Sequence, residues 1–474
     1  MRGRTTRGAL TGMSVAAPPT LARRMKLVGA LLLTLSSVTP AASVYVIIPG
    51  ILQQAGTGAF LSLAAAALVG LAMAFVYAEL ASAHPLAGGE YAIFGRTLGP
   101  FAGFVYMGMN TFLCTFAPAV LSLGASGYLT AVWPQAPSVP IAIAIIALAT
   151  LLGILNIRTN AVVTGLFLAV EIVVLIVLAG LGFSHLHRGI GELIIHPVAL
   201  TAGILAPAPV AMIGLATAVA IFAYNGFGSA VYFSEEMVGA PRRVARTILI
   251  ALVLTVLFEF VPTIAVLLGA PDLKSLIASP SPFSDFVLQR GGAKLEIAVS
   301  LGVALAIVNA VIAIVLINAR FFYSSGRDRA WHGGVNAALT RLHRRFHSPW
   351  VANLAAGAVG IAACFIPFHL LLVLNGTGVV VMYALLCLGA IAGRRNGSTA
   401  HGPYRMPLYP LAPVLGLAAL AYVLYANWMD PAVGRPSLIA TLLIMLAAIG
   451  YYLLLRHRRG GSWAMTGPLT EDEG

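Results

Sequence analysis

Residues 36–45 read SSVTPAASVY and residues 223–229 read AYNGFGS, and each stretch interrupts a long apolar segment. Pro40 removes one backbone hydrogen bond from a helix, and nearby Ser and Thr hydroxyls can bond the backbone groups that it frees. In the second stretch, two glycines and an asparagine weaken a helix. We therefore expect two helices that are broken near their middle.

The chain around these stretches is too apolar for a protein whose whole surface meets water. Of its 474 residues, 59% are hydrophobic and 9% are charged, and its mean hydropathy is +0.94; a soluble domain carries about 25% charged residues. Its continuous apolar runs exclude a transmembrane β-barrel, in which apolar and polar residues alternate. We expect an all-α integral membrane protein of about twelve spans, since each needs roughly 20 apolar residues. The predicted spans are 27–52, 58–82, 99–130, 139–155, 160–183, 208–235, 246–269, 293–320, 349–367, 369–392, 408–428 and 437–456.

Positive charge predicts which side of the membrane each loop occupies, because cytoplasmic loops are rich in Lys and Arg. An N terminus on the inside and an even number of spans predict cytoplasmic tails at 1–26 and 457–474. This orientation leaves only five of the 28 Lys and Arg residues outside: Arg188, Lys274, Arg290, Lys294 and Arg435. The sequence therefore predicts a multi-pass protein of the plasma or inner membrane with both termini in the cytoplasm.

The two interrupted spans are the first and the sixth, so they cross the membrane in opposite directions. Interrupted helices at matching places in two oppositely oriented halves are typical of inverted-repeat transporters. This pattern predicts a first five-helix repeat at 27–184, a second at 208–392 and two accessory helices at 408–456. The simpler alternative is a proline kink in one span and a glycine packing face in the other.

Three further stretches carry recognisable motifs. They are ELASAHPLAGGEY at 79–91, FAYNGF at 222–227 with EE at 235–236 and PRR at 241–243, and NARFFY at 318–323 with GRD at 326–328. Together they resemble the motifs of the amino acid–polyamine–organocation (APC) superfamily. The resemblance covers most of the first eight spans. It implies a LeuT-like fold of five plus five inverted helices, with discontinuous helices 1 and 6, two added helices and alternating access around a central site. It also implies that Phe222, Tyr224 or Phe227 gates that site.

The broken helices provide candidate substrate-binding groups. Free N–H groups and the positive dipole end of the second half of span 1 suit a substrate carboxylate. Freed carbonyls in span 6 can accept an ammonium group. Asn225 either bonds the broken backbone or faces the substrate. Many APC members have a Gly-rich first break, whereas alanines here leave less room for a carboxylate. The predicted substrate-binding residues are Thr39, Ala41, Ala42, Ser43, Phe222, Ala223, Tyr224, Asn225 and Gly226.

Two carboxylates, Glu171 and Glu259, fall in the middle of predicted spans, and no Lys or Arg falls mid-span to pair with them. A carboxylate in hydrocarbon costs roughly 3 kcal/mol or more, so each should face protein or water. Because removal from water favours the protonated form, both are predicted proton-coupling residues. The alternative is a protonated residue bonded between helices, favoured for Glu259 because Pro262 frees a nearby backbone group. By the resemblance, Glu171 lies where many proton-coupled relatives place a lysine.

Charged residues near the predicted cytoplasmic ends indicate an ion network that is either structural or gating. The predicted gate comprises Glu79, Glu235, Glu236, Arg242 and Arg320, and Glu90 is assigned to the same network. By the resemblance, sodium-coupled relatives use hydroxyls of the eighth span, but residues 301–319 contain no Ser or Thr. Hard cations need several oxygen ligands, so the sequence favours protons over sodium and predicts no metal site.

These features together predict a secondary active transporter of amino acids or related amines and polyamines, either proton-coupled or an exchanger. The alternatives are a facilitative channel, which needs a continuous polar stripe, or a non-transporting amino-acid sensor of the same fold. A membrane enzyme would need clustered catalytic groups at depth, and none is seen. Neither Walker nor Rossmann spacing occurs, and the sequence contains no large soluble domain, so we expect no cofactor and no ATP-driven transport. The net charge of +13 would suggest nucleic acid in a soluble protein, but its placement here indicates membrane topology, so we expect no nucleic-acid partner. The expected partners are the substrate, protons and the lipid bilayer.

Overall fold

The computed structural model describes residues 21–129, 133, 135, 137–375, 377–459, 463 and 465, without the side chains of residues 126, 127, 372 and 459. Most of the two predicted tails lies outside this part of the chain. Within it, nine apolar helical segments are long enough to cross a membrane. The longest, Leu27–Ala83, contains two spans, and two shorter apolar helices, Ser138–Gly153 and Trp350–Ala363, bring the total to twelve. The predicted multi-pass helical membrane fold is therefore confirmed.

The first five spans come from the N-terminal part of the chain. Span 1 consists of α1 (Leu27–Val38), α2 (Pro40–Ala42), a π-helical turn (Ser43–Ile47) and α3 (Ile48–Ala55), and a 3-10 turn (Gly56–Gly58) follows it. Span 2 is α4 (Ala59–Ala83), after which comes the short helix α5 (Glu90–Thr97). Spans 3, 4 and 5 are α6 (Pro100–Leu129), α7 (Ser138–Gly153) and α8 (Ile157–Ser184).

The other seven spans follow a connection made of α9 (Ile190–Ile195), β1 (Val198–Thr201) and β2 (Ile204–Pro207). Span 6 is α10 (Val210–Ala223) with a 3-10 helix (Phe227–Glu236), and span 7 is α11 (Ala240–Gly269). The short helices α12 (Leu273–Ala278) and α13 (Pro282–Gly291) lead to span 8, α14 (Ala293–Arg327). Then come α15 (Gly333–Leu339), span 9 or α16 (Trp350–Ala363), span 10 or α17 (Phe368–Asn375) with α18 (Gly378–Asn396), span 11 or α19 (Leu411–Met429), and span 12 or α20 (Gly434–Arg459).

A small antiparallel hairpin between spans 5 and 6 adds strands to a fold predicted as all-α. Its register pairs Val198 with Pro207, and its turn residues Ala202 and Gly203 have φ angles of 50° and 79°. Two positive φ angles are what a two-residue type I′ turn requires. Strands of four residues are too short to produce an alternating pattern, so the hairpin is visible only in the structure.

Span 8 lies at the centre of the bundle. In the most apolar stretch of span 8, 78% of the residues are buried, whereas in the corresponding stretch of span 12 only 17% are buried. Helix α14 contacts α1, α6, α7, α8 and α16. Burial on nearly all sides explains how span 8 carries Asn309 and Asn318, which are both buried. The fold thus packs the middle of spans 1, 5 and 8 together and leaves spans 11 and 12 at the periphery.

Candidate functional site

Span 1 is broken where the sequence predicts. Thr39 has a φ of 51°, in the left-handed region, and ends α1. Pro40 then begins α2, where its fixed φ suits the first position of a helix and its missing N–H is not needed. The backbone N–H of Ala41 lies in this new first turn and has no partner within the helix. The break therefore presents a free backbone donor in the middle of the bundle.

Span 6 is broken at the level of the first break. Helix α10 ends at Ala223, and Gly226 follows with a φ of 111°, which only glycine adopts at little cost. A Cβ atom on Gly226 would lie 3.1 Å from Cγ2 of Val38 and 3.2 Å from its Cα. The Ser37 and Ser229 hydroxyl oxygens are 2.6 Å apart. The two breaks are therefore in direct contact.

Glu171 of span 5 bonds the broken end of span 1. Its Oε1 accepts the N–H of Ala41 at 2.8 Å and the hydroxyl of Thr39 at 3.2 Å, and the side chain is fully buried. Thr39 Oγ1 is also 3.3 Å from the carbonyl oxygen of Ala306 in span 8. The Ala41 N–H, which the sequence analysis predicts to bind a substrate carboxylate, thus donates to a carboxyl group of the protein itself.

Glu259 of span 7 reaches the same place. It is fully buried and lies beside Ser43 and Tyr224, close enough to Glu171 for the two carboxyl groups to interact electrostatically. The Ser43 hydroxyl donates to the carbonyl oxygen of Ala223 at 3.2 Å. Both Glu259 carboxyl oxygens lack a hydrogen-bond partner among the described residues. The local bond expected near Pro262 is therefore not formed, and the carboxyl group faces the two breaks.

The remaining predicted residues of span 6 have different surroundings. The Phe222 side chain is 44% exposed, and its carbonyl oxygen accepts the Asn225 N–H at 3.0 Å. The Asn225 amide oxygen accepts the hydroxyl of Tyr383 at 2.8 Å, so this oxygen joins the broken backbone to span 10. Tyr224 is buried and donates to the carbonyl oxygen of Leu63. Tyr383 carries no signal in the sequence that distinguishes it from a packing aromatic residue.

Charged residues cluster at one end of the bundle, which we call the arginine-rich face: Glu79, Glu90, Glu235, Glu236, Arg320, Arg327 and Arg394. Three of the carboxylates each pair with an arginine through two hydrogen bonds. Arg320 bonds Glu236 at 2.5 and 3.1 Å, Arg327 bonds Glu235 at 2.7 and 2.8 Å, and Arg394 bonds Glu79 at 2.8 and 2.7 Å. Paired geometry of this kind is the strong form of an ion pair.

Two predicted members of this network lie outside it. Arg242 is exposed at the start of α11 and takes part in none of these pairs. Its place is taken by Arg327 and Arg394, which sequence reasoning missed although Arg327 lies in the GRD motif. Glu90 bonds tyrosines rather than arginine. Burial lowers the pKa of nearby His84 to about 4, with His401 and Arg96 adding to the effect, so His84 supplies no positive charge.

Aromatic packing closes the opposite side of the breaks. The Tyr45 ring packs against Tyr128 and Phe283, with ring centroids 6.5 and 5.8 Å apart, and the Tyr128 hydroxyl donates to the Tyr45 carbonyl oxygen at 2.8 Å. With the ion pairs on the other side, this cluster leaves Thr39 and Ala223 at most 6% exposed. Residues of both breaks are therefore buried in the bundle.

The sequence profile of the amino acid permease family matches residues 25–452. This chain belongs to the amino acid permease family. An uncharacterized transporter of Mycobacterium tuberculosis is 29% identical over 86% of this chain and 87% of its own length. The branched-chain amino acid permease BcaP of Lactococcus lactis is 26% identical, covering 79% and 83%. The low-affinity putrescine importer PlaP of Escherichia coli is 22% identical, covering 73% and 76%.

As a family member, the permease transports amino acids or amines across a membrane, and the chemistry at its breaks is that of binding rather than catalysis. Two buried carboxyl groups and several backbone carbonyls surround the broken helices. Such groups bind protons and ammonium ions, and they attract positive charge more strongly in a dry interior than in water. Within the described part of the chain, no group of three or more His, Cys, Asp or Glu side chains is arranged to hold a metal ion.

Proposed function

We propose that this permease is a proton-linked secondary transporter or exchanger that works by alternating access around the breaks in spans 1 and 6. The observation that carries the proposal is the convergence of two fully buried carboxyl groups on those breaks: Glu171 accepts the Ala41 N–H, and Glu259 lies beside Ser43. Two ionised carboxylates without a cation are costly in a dry interior. Binding of a proton, an ammonium group or both therefore stabilises such a pair. Either binding event would then change which side of the site is open.

The finer arrangement of the chain belongs to the same proposal. Residues 27–184 and 208–392 form the two inverted five-helix repeats, and 408–456 forms the accessory pair. The arginine-rich face is cytoplasmic, with both tails on that side, in keeping with the distribution of positive charge. The ion pairs of Glu79, Glu235 and Glu236 then close the inward path and must separate before substrate leaves to the cytoplasm.

For the substrate we propose a small cationic amine in preference to an α-amino acid. The N–H of Ala41, which suits a substrate carboxylate, is already bonded to Glu171. The Glu259 carboxyl group lies beside the Ser43 hydroxyl, and the geometry of the described residues gives its oxygens no hydrogen-bond donor, so it suits an ammonium group, as do the carbonyls of the span 6 break. A relative that imports putrescine and another named for branched-chain amino acids make both substrate classes worth testing.

The test of coupling uses purified permease in liposomes. With an inward proton gradient, the vesicles should accumulate labelled putrescine or labelled leucine, because proton entry drives the uptake. If both labels exchange in counterflow but neither responds to the gradient, the permease is an exchanger and the proton link is wrong. If neither label moves, a wider panel of amines and amino acids is screened by thermal shift, since a ligand of the native state stabilises it.

The Glu259→Gln variant tests the substrate assignment. It keeps the volume of the side chain but removes its charge, so affinity for putrescine should fall about tenfold, which corresponds to ~1.4 kcal/mol. Affinity for leucine should change less, because its ammonium group carries a neighbouring carboxylate. The measurement is the substrate concentration for half-maximal counterflow, with Glu192→Gln, an exposed carboxylate on α9, as the control. An equal loss for both substrates would contradict a preference for cationic amines.

A further inference from the structure

Glu90 stands apart from the other carboxylates of the arginine-rich face. It lies on α5 between spans 2 and 3 and is 4% exposed. One of its carboxyl oxygens accepts the hydroxyl of Tyr77, and the other accepts the hydroxyl of Tyr232. The Asn110 side-chain amide donates to the Tyr232 oxygen at 3.1 Å. A buried carboxyl group is thus held by two phenols, where its neighbours on the same face are held by arginines.

Among the residues that the structure describes, the titratable groups that interact with Glu90 from the surrounding elements can become negative but not positive. They are Tyr77 on α4, Tyr106 and Cys114 on α6, Tyr232 on the 3-10 helix of span 6 and Tyr383 on α18. Burial raises the pKa of Glu90 above its ordinary value, and the two tyrosine hydrogen bonds partly oppose this effect. A buried carboxylate without a cation is unstable relative to its protonated form, so this carboxyl group is suited to binding a proton.

Proton binding must rearrange the hydrogen bonds of this group. The ionised carboxylate only accepts, and it takes one hydrogen from each tyrosine. A protonated carboxyl must donate its own hydrogen, and the nearest acceptors are the same two phenol oxygens. One tyrosine therefore has to turn its hydrogen away from Glu90. Because Tyr77 is on span 2, Tyr232 is on span 6 and Glu90 is on α5, the change replaces a charge-assisted hydrogen bond between these elements with a weaker, neutral one of reversed direction.

Aromatic contacts connect the Glu90 tyrosines to the break in span 6. The Tyr77 ring packs edge-on against Phe227 with centroids 6.4 Å apart, and Phe227 stacks on Tyr383 at 6.3 Å. Tyr383 in turn donates to Asn225 in the break. A Cβ atom on Gly228 would collide with the Tyr77 ring, so the absence of a side chain there allows this packing. A rearrangement at Glu90 is thus one aromatic layer away from the proposed substrate site.

We propose that Glu90 is a second proton-binding residue of this permease, distinct from Glu171, located in the arginine-rich face and linked to the break in span 6 through Tyr77 and Phe227. The proton adds to a carboxylate oxygen of Glu90 from water on that face and returns to that water. Ionised Glu90 binds Tyr77 and Tyr232 through two charge-assisted hydrogen bonds and keeps the inward path closed, and protonated Glu90 holds them more weakly. This inference rests on the proposed transport function for its consequence, but proton binding itself can be measured without transport.

The direct test is a pH titration of purified permease followed by infrared spectroscopy of the protonated carboxyl C=O stretch. As the pH is raised above the ordinary titration range of Glu, the wild-type protein should lose a band that Glu90→Gln never shows. The Glu171→Gln variant should retain this band. If Glu90→Gln shows every wild-type band, Glu90 does not bind a proton in this range and the proposal is overturned.

A second variant covers the case in which Glu90→Gln does not fold. Tyr232→Phe removes one donor to the ionised carboxylate, so the midpoint of the Glu90 band should move up by about one pH unit, a tenfold gain in proton affinity. An unmoved midpoint would contradict the assigned hydrogen bonds.

In liposomes, counterflow by Glu90→Gln should lose its dependence on the pH at the arginine-rich face, while the Glu192→Gln control keeps it. A titrating Glu90 band together with gradient-independent transport would reject proton coupling but leave the Glu90 site standing.

Discussion

Glu171→Gln should fold normally and lose gradient-driven uptake by about a hundredfold, the low end of what a positioned proton-transfer group contributes. The glutamine oxygen can still accept the Ala41 N–H, now made at 2.8 Å, and the Thr39 hydroxyl at 3.2 Å. The break in span 1 therefore remains capped, and only proton binding is lost. Uptake of labelled substrate into liposomes, measured at several pH values, shows the effect.

The controls for this variant separate coupling from folding. Counterflow without a gradient should persist in Glu171→Gln, because substrate exchange does not require net proton movement. The exposed Glu192→Gln variant should behave as wild type in both assays. An unchanged pH dependence of uptake in Glu171→Gln would remove Glu171 from the coupling mechanism and assign it the purely structural role of capping α2.

Arg320→Met should destabilise the permease by about 3–5 kcal/mol, because removing one partner of a buried ion pair leaves an uncompensated charge. Arg320 and Glu236 are 1% and 4% exposed, and two hydrogen bonds join them. Chemical or thermal unfolding in detergent measures the loss. Arg405→Met is the matched comparison, because Arg405 is 47% exposed and 3.6 Å from Glu79; an exposed pair is worth about 1 kcal/mol or less.

A double variant distinguishes the lost pair from lost packing. Arg320→Met with Glu236→Leu removes both charges and should recover most of the stability, as replacement of buried ion pairs by apolar residues often does. The same double variant should transport with an altered balance between inward and outward states, since the proposed inward closure loses one tie. A loss in Arg320→Met no larger than in Arg405→Met would show that the pair contributes little to the fold.

Span 8 illustrates where sequence prediction stops. The apolar run predicts an end at residue 320, but the helix continues to Arg327. Charged residues ended the predicted span because an arginine normally cannot stay in an apolar bundle. In the structure, Glu236 and Glu235 of span 6 neutralise Arg320 and Arg327, so the helix need not end there. A pair between distant residues cannot be read from either local segment.

The sequence alone determined the number of spans, the place of the two breaks and the presence of carboxyl groups without a mid-span cation. These features depend on local composition, because hydrocarbon requires about 20 apolar residues per helix and Pro and Gly weaken a helix wherever they stand. This local dependence explains why the break at SSVTPAASVY is evident from the sequence alone.

Only the tertiary structure decided which groups meet at those breaks. Glu171 and Thr39 are 132 residues apart in the chain, and their contact depends on how spans 1 and 5 are rotated and packed. The same holds for Glu90, which the sequence grouped with the arginines and the fold surrounds with tyrosines. Side chains from different helices are brought together by packing of whole helix faces, and that information is spread over the entire bundle.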